Sequence, residues 1–354
     1  MMKSLILGRS TKLALAATGL LTPFLVFAQA RLDVIEFSSQ VLKDNPLHDP
    51  VVRRLAVFVP DQYTNHAALP VVYYLPGYGN SAESFIQDAD RWRAFTQKLA
   101  DEIIPVLLVV VDGRNRWGGS QYLNSSAQGN YADYVCDEIV SRVESRYGIT
   151  TNRPVRIVAG HSSGGFGALR LGMSRPDLFD GVIALSPDSD FPLTHLPLVK
   201  MPGVTNASPP QIRSYMAPHM TVPFPTNGDL AYALGLSAAY AAVGPAQPGQ
   251  FQWLYDKRGR FQQKVWQLWL DNDLLAIVRR NPNAFHASQS VYLDGAAQDE
   301  FSANVGARKI YDVLRGRAAP CVFCEPPGRH TDHLQERLMR GLAWVCHRPL
   351  PEIK

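Results

Sequence analysis

The chain of 354 residues shows little excess of either charge, with 35 Lys and Arg against 31 Asp and Glu, a formal +4. Lys3, Arg9 and Lys12 precede Ala30 with no acidic residue among them, so the balance beyond Ala30 is +1 (4 − 3). So even a balance gives no reason to expect nucleic acid or an acidic surface as partner. Also missing is an apolar run of the ~20 residues that span a bilayer. The longest candidate, Leu13 to Phe27, is interrupted by Gly19 and Pro23. Flanked by basic residues and by Ala28-Gln29-Ala30, it reads as an export signal occupying residues 1–30 and cleaved near Ala30. The mature chain is therefore expected to be secreted or periplasmic, and no cysteine follows the site to carry a lipid anchor.

Cysteine is scarce: Cys136, Cys321, Cys324 and Cys346 allow at most two disulfides. Pro320 to Glu325 reads as a strand, on which residues three apart point to opposite faces about 10 Å apart, beyond disulfide reach. Cys321-Val-Phe-Cys324 is thus not read as a redox pair, and pairing of one of them with Cys346 is the better expectation. His330-x-x-His333 lacks a third ligand at suitable spacing, so neither metal nor cofactor is expected. No internal repeat is visible.

What the chain does have is Arg156 to Leu171. A β-branched run (Ile157, Val158) ends at Gly160, a helical pattern begins at Gly164, and Gly160-x-Ser162-x-Gly164 lies between. This is the nucleophile elbow of α/β-hydrolases, a strained strand-to-helix turn that exposes a serine hydroxyl. Flanking glycines are needed because a Cβ would clash where backbone meets backbone. Ser163 lacks that flanking pattern, so Ser162 is the candidate nucleophile.

Around the elbow, strands alternate with helices, the pattern of a mostly parallel sheet covered on both faces. Strands are expected at Ile35 to Leu42, Arg53 to Pro60, Pro70 to Leu75, Ile104 to Val111, Gly181 to Ser186, Ser290 to Gly295 and Pro320 to Glu325, with helices at Arg91 to Asp101, Tyr131 to Tyr147, Ala303 to Leu314 and Leu334 to Cys346. Proline-rich residues 190–288 break the rhythm, with helices expected near Leu230 to Val243 and Gln262 to Arg279. They read as an insertion between core segments 31–189 and 289–354, either a lid over the site or a solvated excursion.

The site follows from chain order. The fold places an acid after a later strand and a histidine after the last. Asp299 lies on the loop proper and is preferred to Asp294 at the strand end, with Asp188 and Asp190 as fallbacks. His330 sits just past the last strand and is preferred to His333 and His347. The glycine-rich Pro76-Gly77-Tyr78-Gly79 loop after an early strand suits a second oxyanion N–H. Trp117, Tyr122 and Tyr78 are candidates for an aromatic substrate wall or for core packing. His161 is read as structural.

Asn45-Pro46-Leu47, Gly118 to Tyr122, Gly160 to Leu169, Gln298 to Phe301 and Gly328-Arg329-His330 together resemble the Putative esterase family of the α/β-hydrolase fold, which includes S-formylglutathione hydrolases, feruloyl esterases and mycolyltransferases. The resemblance spans nearly all of the mature chain. It implies Ser162 as nucleophile, Asp299 as acid, His330 as base and the N–H groups of Tyr78 and Ser163 as oxyanion hole. Pro76-Gly77 departs from the His-Gly or Asp-Gly common in relatives, which touches support of the hole and not its backbone donor. The reading is an exported, cofactor-free serine hydrolase acting on a small-molecule or carbohydrate-linked ester. Its alternatives are an acyltransferase of mycolyl type and an inactive hydrolase-fold binding protein.

Overall fold

The computed structural model describes residues 29–64, 69–149, 155–216 and 227–347. Apart from Gln29 and Ala30, the expected signal lies outside the described residues.

Among the described residues ten strands form: β1 (Arg31–Ser38), β2 (Val52–Val59), β3 (Val71–Leu75), β4 (Leu107–Val110), β5 (Asn124–Ser125), β6 (Gly129–Asn130), β7 (Arg156–His161), β8 (Gly181–Leu185), β9 (Ser290–Asp294) and β10 (Cys321–Cys324). Eight of them make one sheet in the order β1-β2-β4-β3-β7-β8-β9-β10, while β5 and β6 pair separately. β1 and β2 enter antiparallel, and every pairing from β4 to β10 is parallel. The α/β-hydrolase class expected from the alternation is the architecture observed.

Why the strands carry unbroken apolar runs is plain from what covers them. Val71, Tyr73 and Leu75 point into one cluster, and Val72 and Tyr74 into another on the opposite face. A parallel strand buried on both sides has no polar face to alternate with. Cys321 packs toward the first cluster while Cys324 and Cys346 pack toward the second, as a strand reading of Pro320 to Glu325 requires. None of the four cysteines forms a disulfide, so the expected pairing with Cys346 is absent.

Several boundaries differ from expectation. The first strand begins at Arg31 and ends at Ser38, because its residues pair along the whole of β2. The helical stretch from Tyr131 to Arg146 widens into π turns over Tyr134–Ile139. The helix expected over Gln262 to Arg279 is two, Gln263–Leu270 and Leu274–Arg280. Asp273 separates them by accepting the Leu275 N–H, a standard N-cap bond. Its carboxylate also accepts the N–H groups of Asp190 and Phe191, which stitches the second helix to the loop after β8. Burial drives the Asp273 pKa up to about 6, against the hydrogen bonds from those backbone N–H groups.

The remaining helices between β8 and β9 are Phe191–Thr194, Leu196–Val199, Pro202–Thr205, Pro209–Met216 and Gly228–Tyr240. Most of the last is buried, and Leu230, Leu234 and Ala238 share a cluster with Trp117 and Phe251. Among the described residues, no helix is long and apolar enough to cross a membrane.

Candidate active site

β7 delivers its last residue, His161, into a turn at Ser162 from which the helix Ser163–Ser174 starts. Ser162 has φ 57° and ψ −122°, a conformation that costs an L-residue roughly 1–3 kcal/mol and persists only where its surroundings enforce it. They do so through the backbone: the Ser162 N–H donates to Leu185 O at 2.9 Å, and its carbonyl accepts from Phe166 N at 2.9 Å. A Cβ on Gly160 would fall 2.2 Å from Gly164 O, and one on Gly164 would fall 1.8 Å from Leu75 O. Both neighbours are backbone and cannot give way, which is why the turn is written with glycine.

The loop after β9 and the loop after β10 meet beside this turn. His330 Nδ1 lies 2.7 Å from Asp299 Oδ2, with both residues buried. Asp299 Oδ1 accepts the N–H of Phe301 at 3.0 Å and of Ala303 at 3.4 Å. Burial pushes the Asp299 pKa up, but the bond to His330 and its charge, the Ser186 side chain and the Phe301 N–H outweigh it and hold the carboxyl below its ordinary value. Phe301 stands edge-on to the His330 ring at 4.9 Å.

Arg337 fixes the histidine from behind. It is fully buried, grips Asp294 through two bonds of 3.0 and 2.7 Å, and donates to His330 O at 3.0 Å and Ser186 Oγ at 2.8 Å. Asp294 is therefore committed to a buried ion pair, and Asp299 is the acid on the histidine. Replacing one partner of such a pair strands the other charge, so Arg337→Met is expected to lower the unfolding free energy by about 3–5 kcal/mol, read from the urea midpoint. Adding Asp294→Leu to that variant is expected to recover much of the loss.

His161 adds a second tie, with Nε2 3.0 Å from the same His330 carbonyl. A carbonyl only accepts, so Nε2 carries the proton. Burial, followed by the neighbouring His330 and Arg337, lowers the His161 pKa well below its ordinary value and keeps the ring neutral. Its role is to hold His330.

Ser162, His330, His161, Gly77 and Tyr78 all line one cleft of about 330 Å³. That is the size of a small ligand pocket. Ser163 is the first residue of its helix, so its N–H has no intrahelical partner. Among the described residues, the Tyr78 N–H donates no hydrogen bond within the chain. The Ser162 hydroxyl contacts Asp188 Oδ1 at 3.4 Å, and no hydrogen bond joins it to His330 among the described residues. The far wall comes from the 190–288 segment: Thr194, His195, Leu198, Gly228, Asp229 and Tyr232.

Two expected wall residues are elsewhere. Trp117 is 1% exposed and packs against the helix Gly228–Tyr240 and Phe251. Tyr122 is 4% exposed, sends its hydroxyl to Pro76 O at 2.7 Å and fills the space that a Cβ on Gly113 or Gly167 would need. Both support the cleft from beneath without facing it. His333 is exposed and begins the helix Leu334–Val345, and His347 lies past that helix. Asp188, weighed only as a spare acid, is the residue that sequence reasoning undervalued; its signal was a position directly after β8, at the same sheet edge as the elbow.

The model of the family described as Putative esterase matches residues 52–295. Among solved structures, the chain is similar to a ferulic acid esterase at 17% identity, covering 90% of this chain and 98% of that one with a TM-score of 0.56. It is likewise similar to an S-formylglutathione hydrolase from Agrobacterium tumefaciens at 16% identity, 91% and 98% coverage and a TM-score of 0.56. A feruloyl esterase module from Clostridium thermocellum aligns at 12% identity, 92% and 91% coverage and a TM-score of 0.52. At these identities the structures establish a common fold, and the family match extends over most of the chain. The chain belongs to the Putative esterase family and is a carboxylic ester hydrolase of the α/β-hydrolase fold.

Proposed function

We propose that the chain cleaves carboxylic esters through an acyl-enzyme on Ser162, with His330 as general base and Asp299 as its orienting acid. The observation that carries this reading is the 2.7 Å Asp299–His330 bond in the same cleft as a serine held at positive φ. With Nδ1 on Asp299, the other ring nitrogen of His330 is left for the serine. When substrate enters, the Ser162 hydroxyl turns from Asp188 to His330 Nε2 and loses its proton there as Oγ bonds to the ester carbon. The N–H groups of Tyr78 and Ser163 meet the oxyanion, each such donor typically worth about 3–4 kcal/mol. The C–O bond breaks, the histidine proton goes to the departing alcohol, and water repeats the sequence to release the acid. Because residues 1–30 carry the composition of an export signal, the working form is the exported chain from Arg31 onward.

A fluorophosphonate probe tests this directly. Stoichiometric labelling, located by peptide mass at Ser162, is the expected result; folded protein that stays unlabelled would sink the reading. Ester turnover is then followed with and without an added alcohol or sugar. Release of free acid in both cases is expected of a hydrolase, whereas transfer product without free acid would make the chain an acyltransferase.

A further inference from the structure

Asp188 is buried, 8% exposed, at the floor of the cleft. It accepts hydrogen bonds from four neutral donors: Ser162 Oγ at 3.4 Å, Ser163 Oγ at 2.8 Å, Gln121 Nε2 at 3.3 Å and Tyr232 OH at 3.3 Å. Among the described residues it takes part in no ion pair. The cations nearby are committed elsewhere: Lys309 holds Asp190 at 2.5 Å and Arg337 holds Asp294. Buried carboxylates are as a rule matched by a countercharge. This one also lies beside the proposed nucleophile, where a like charge opposes the negative charge that develops on the substrate's carbonyl oxygen.

Its surroundings favour a cation as well. Among the described residues lining the cleft there is no Lys or Arg, while Asp229 stands on the same wall. Arg114, the basic side chain whose field reaches the Tyr78 phenol, is exposed and does not line the cleft. Tyr78 and Tyr232 meet edge to face at 4.6 Å, and Phe301 lies on the same lining, so ring faces are at hand for a cation.

His195 supplies a second, independent observation. It is 2% exposed, lines the same cleft and stands 5.9 Å from the Tyr232 ring. Thr194 Oγ1 donates to Ser189 O at 2.9 Å, so at 3.2 Å it can only accept from His195 Nδ1–H. The lone pair of the ring is therefore on Nε2, which has no hydrogen-bond partner among the described residues. Burial lowers the His195 pKa and outweighs the field of Asp188 and the hydrogen bond to the Thr194 backbone, which raise it. A carboxylate without countercharge and an acceptor without donor among the described residues thus belong to two side chains that line one cleft. A protonated amine provides both the charge and the N–H donors. Among the described residues, no three His, Cys, Asp or Glu side chains are grouped to hold a metal ion in its place.

We propose that Asp188 and His195 form an ammonium subsite, and that the preferred substrates are small esters carrying a primary amine a few bonds from the scissile carbonyl. The inference rests on the cleft being the esterase site. It makes Asp188 a specificity determinant of that site.

The test compares isosteric esters. 4-Nitrophenyl 3-aminopropanoate is set against the butanoate and the 3-hydroxypropanoate, and 2-aminoethyl acetate against propyl acetate. In at least one series the amine-bearing ester is expected to exceed its neutral isosteres in kcat/KM by about tenfold or more. Asp188→Asn, which keeps the shape and one acceptor oxygen while removing the charge, is expected to bring that ratio close to one, and Asp229→Asn to change it less. Equal values in the native protein in both series, or a preference that survives Asp188→Asn, overturns the inference even while butanoate is cleaved and Ser162 is labelled. If no ester is turned over and Ser162 stays unlabelled, the serine-esterase reading has failed instead. Calorimetric titration with 2-aminoethanol and 1-propanol then decides the subsite by itself: binding of the amine alone, lost in Asp188→Asn, supports it, and equal or absent binding overturns it.

Discussion

Ser162→Ala is expected to lower kcat by about four to six orders of magnitude while leaving the fold intact. The size follows from what the substitution removes. Without Oγ the proposed acyl-enzyme cannot form, and what would remain is water attacking an ester held by the proposed donors, the Tyr78 and Ser163 N–H groups. Preservation of the fold follows from the geometry: the turn at Ser162 is held by its backbone bonds to Leu185 and Phe166 and by Gly160 and Gly164, none of which uses the hydroxyl. Steady-state turnover of a 4-nitrophenyl ester reads the first part and the urea midpoint the second. A variant with native-like turnover would move the nucleophile away from Ser162, and Ser163→Ala, run alongside, would show whether the neighbouring hydroxyl had taken its place.

Asp299→Asn has the next largest expected effect, a fall in kcat of about 10⁴-fold with little change in KM. The carboxylate receives the His330 Nδ1–H at 2.7 Å and is itself aimed by the N–H groups of Phe301 and Ala303. An amide can offer the ring an N–H where the carboxylate offered an acceptor. The proton then sits on Nε2, which can no longer take one from Ser162. The rate of fluorophosphonate labelling reports the same loss without depending on substrate binding. A stability signature accompanies it. Since the Asp299 pKa is depressed in the folded state, its ionised form stabilises the fold above the ordinary value of 3.8, and that contribution is lost as pH falls through the lower, folded-state value. The variant and the native protein are therefore expected to differ in thermal midpoint at neutral pH and to converge in strong acid.

How much of this was legible in the sequence varied with the physics behind each residue. The elbow could be read because steric exclusion at Gly160 and Gly164 leaves no other residue, and the buried strands because two covered faces admit only apolar side chains. Asp299 and His330 were found by chain order, since a parallel sheet presents successive strand ends along one edge. Trp117 and Tyr122 were left between substrate wall and core packing, because a loop's own sequence does not show what covers it. The residues that bury Trp117 come from the helix Gly228–Tyr240, more than a hundred positions on, which no local pattern reports. The split at Asp273 was available as a capping signal and was masked by apolar periodicity running through it. Asp188 was seen, but nothing in the chain announces that its four donors converge on it from three separate segments.

The grip of Arg337 on the His330 carbonyl ties the cleft to a distant element. The strained serine turn is held by β7, its helix and β8, whereas the His330 carbonyl is also held by the helix that carries Arg337 and docks against β8 and β9. With that helix unseated, the proposed base would lose the tie that holds its backbone beside the proposed nucleophile. Ester turnover by the proposed route therefore doubles as a readout of whether the helix Leu334–Val345 is in place.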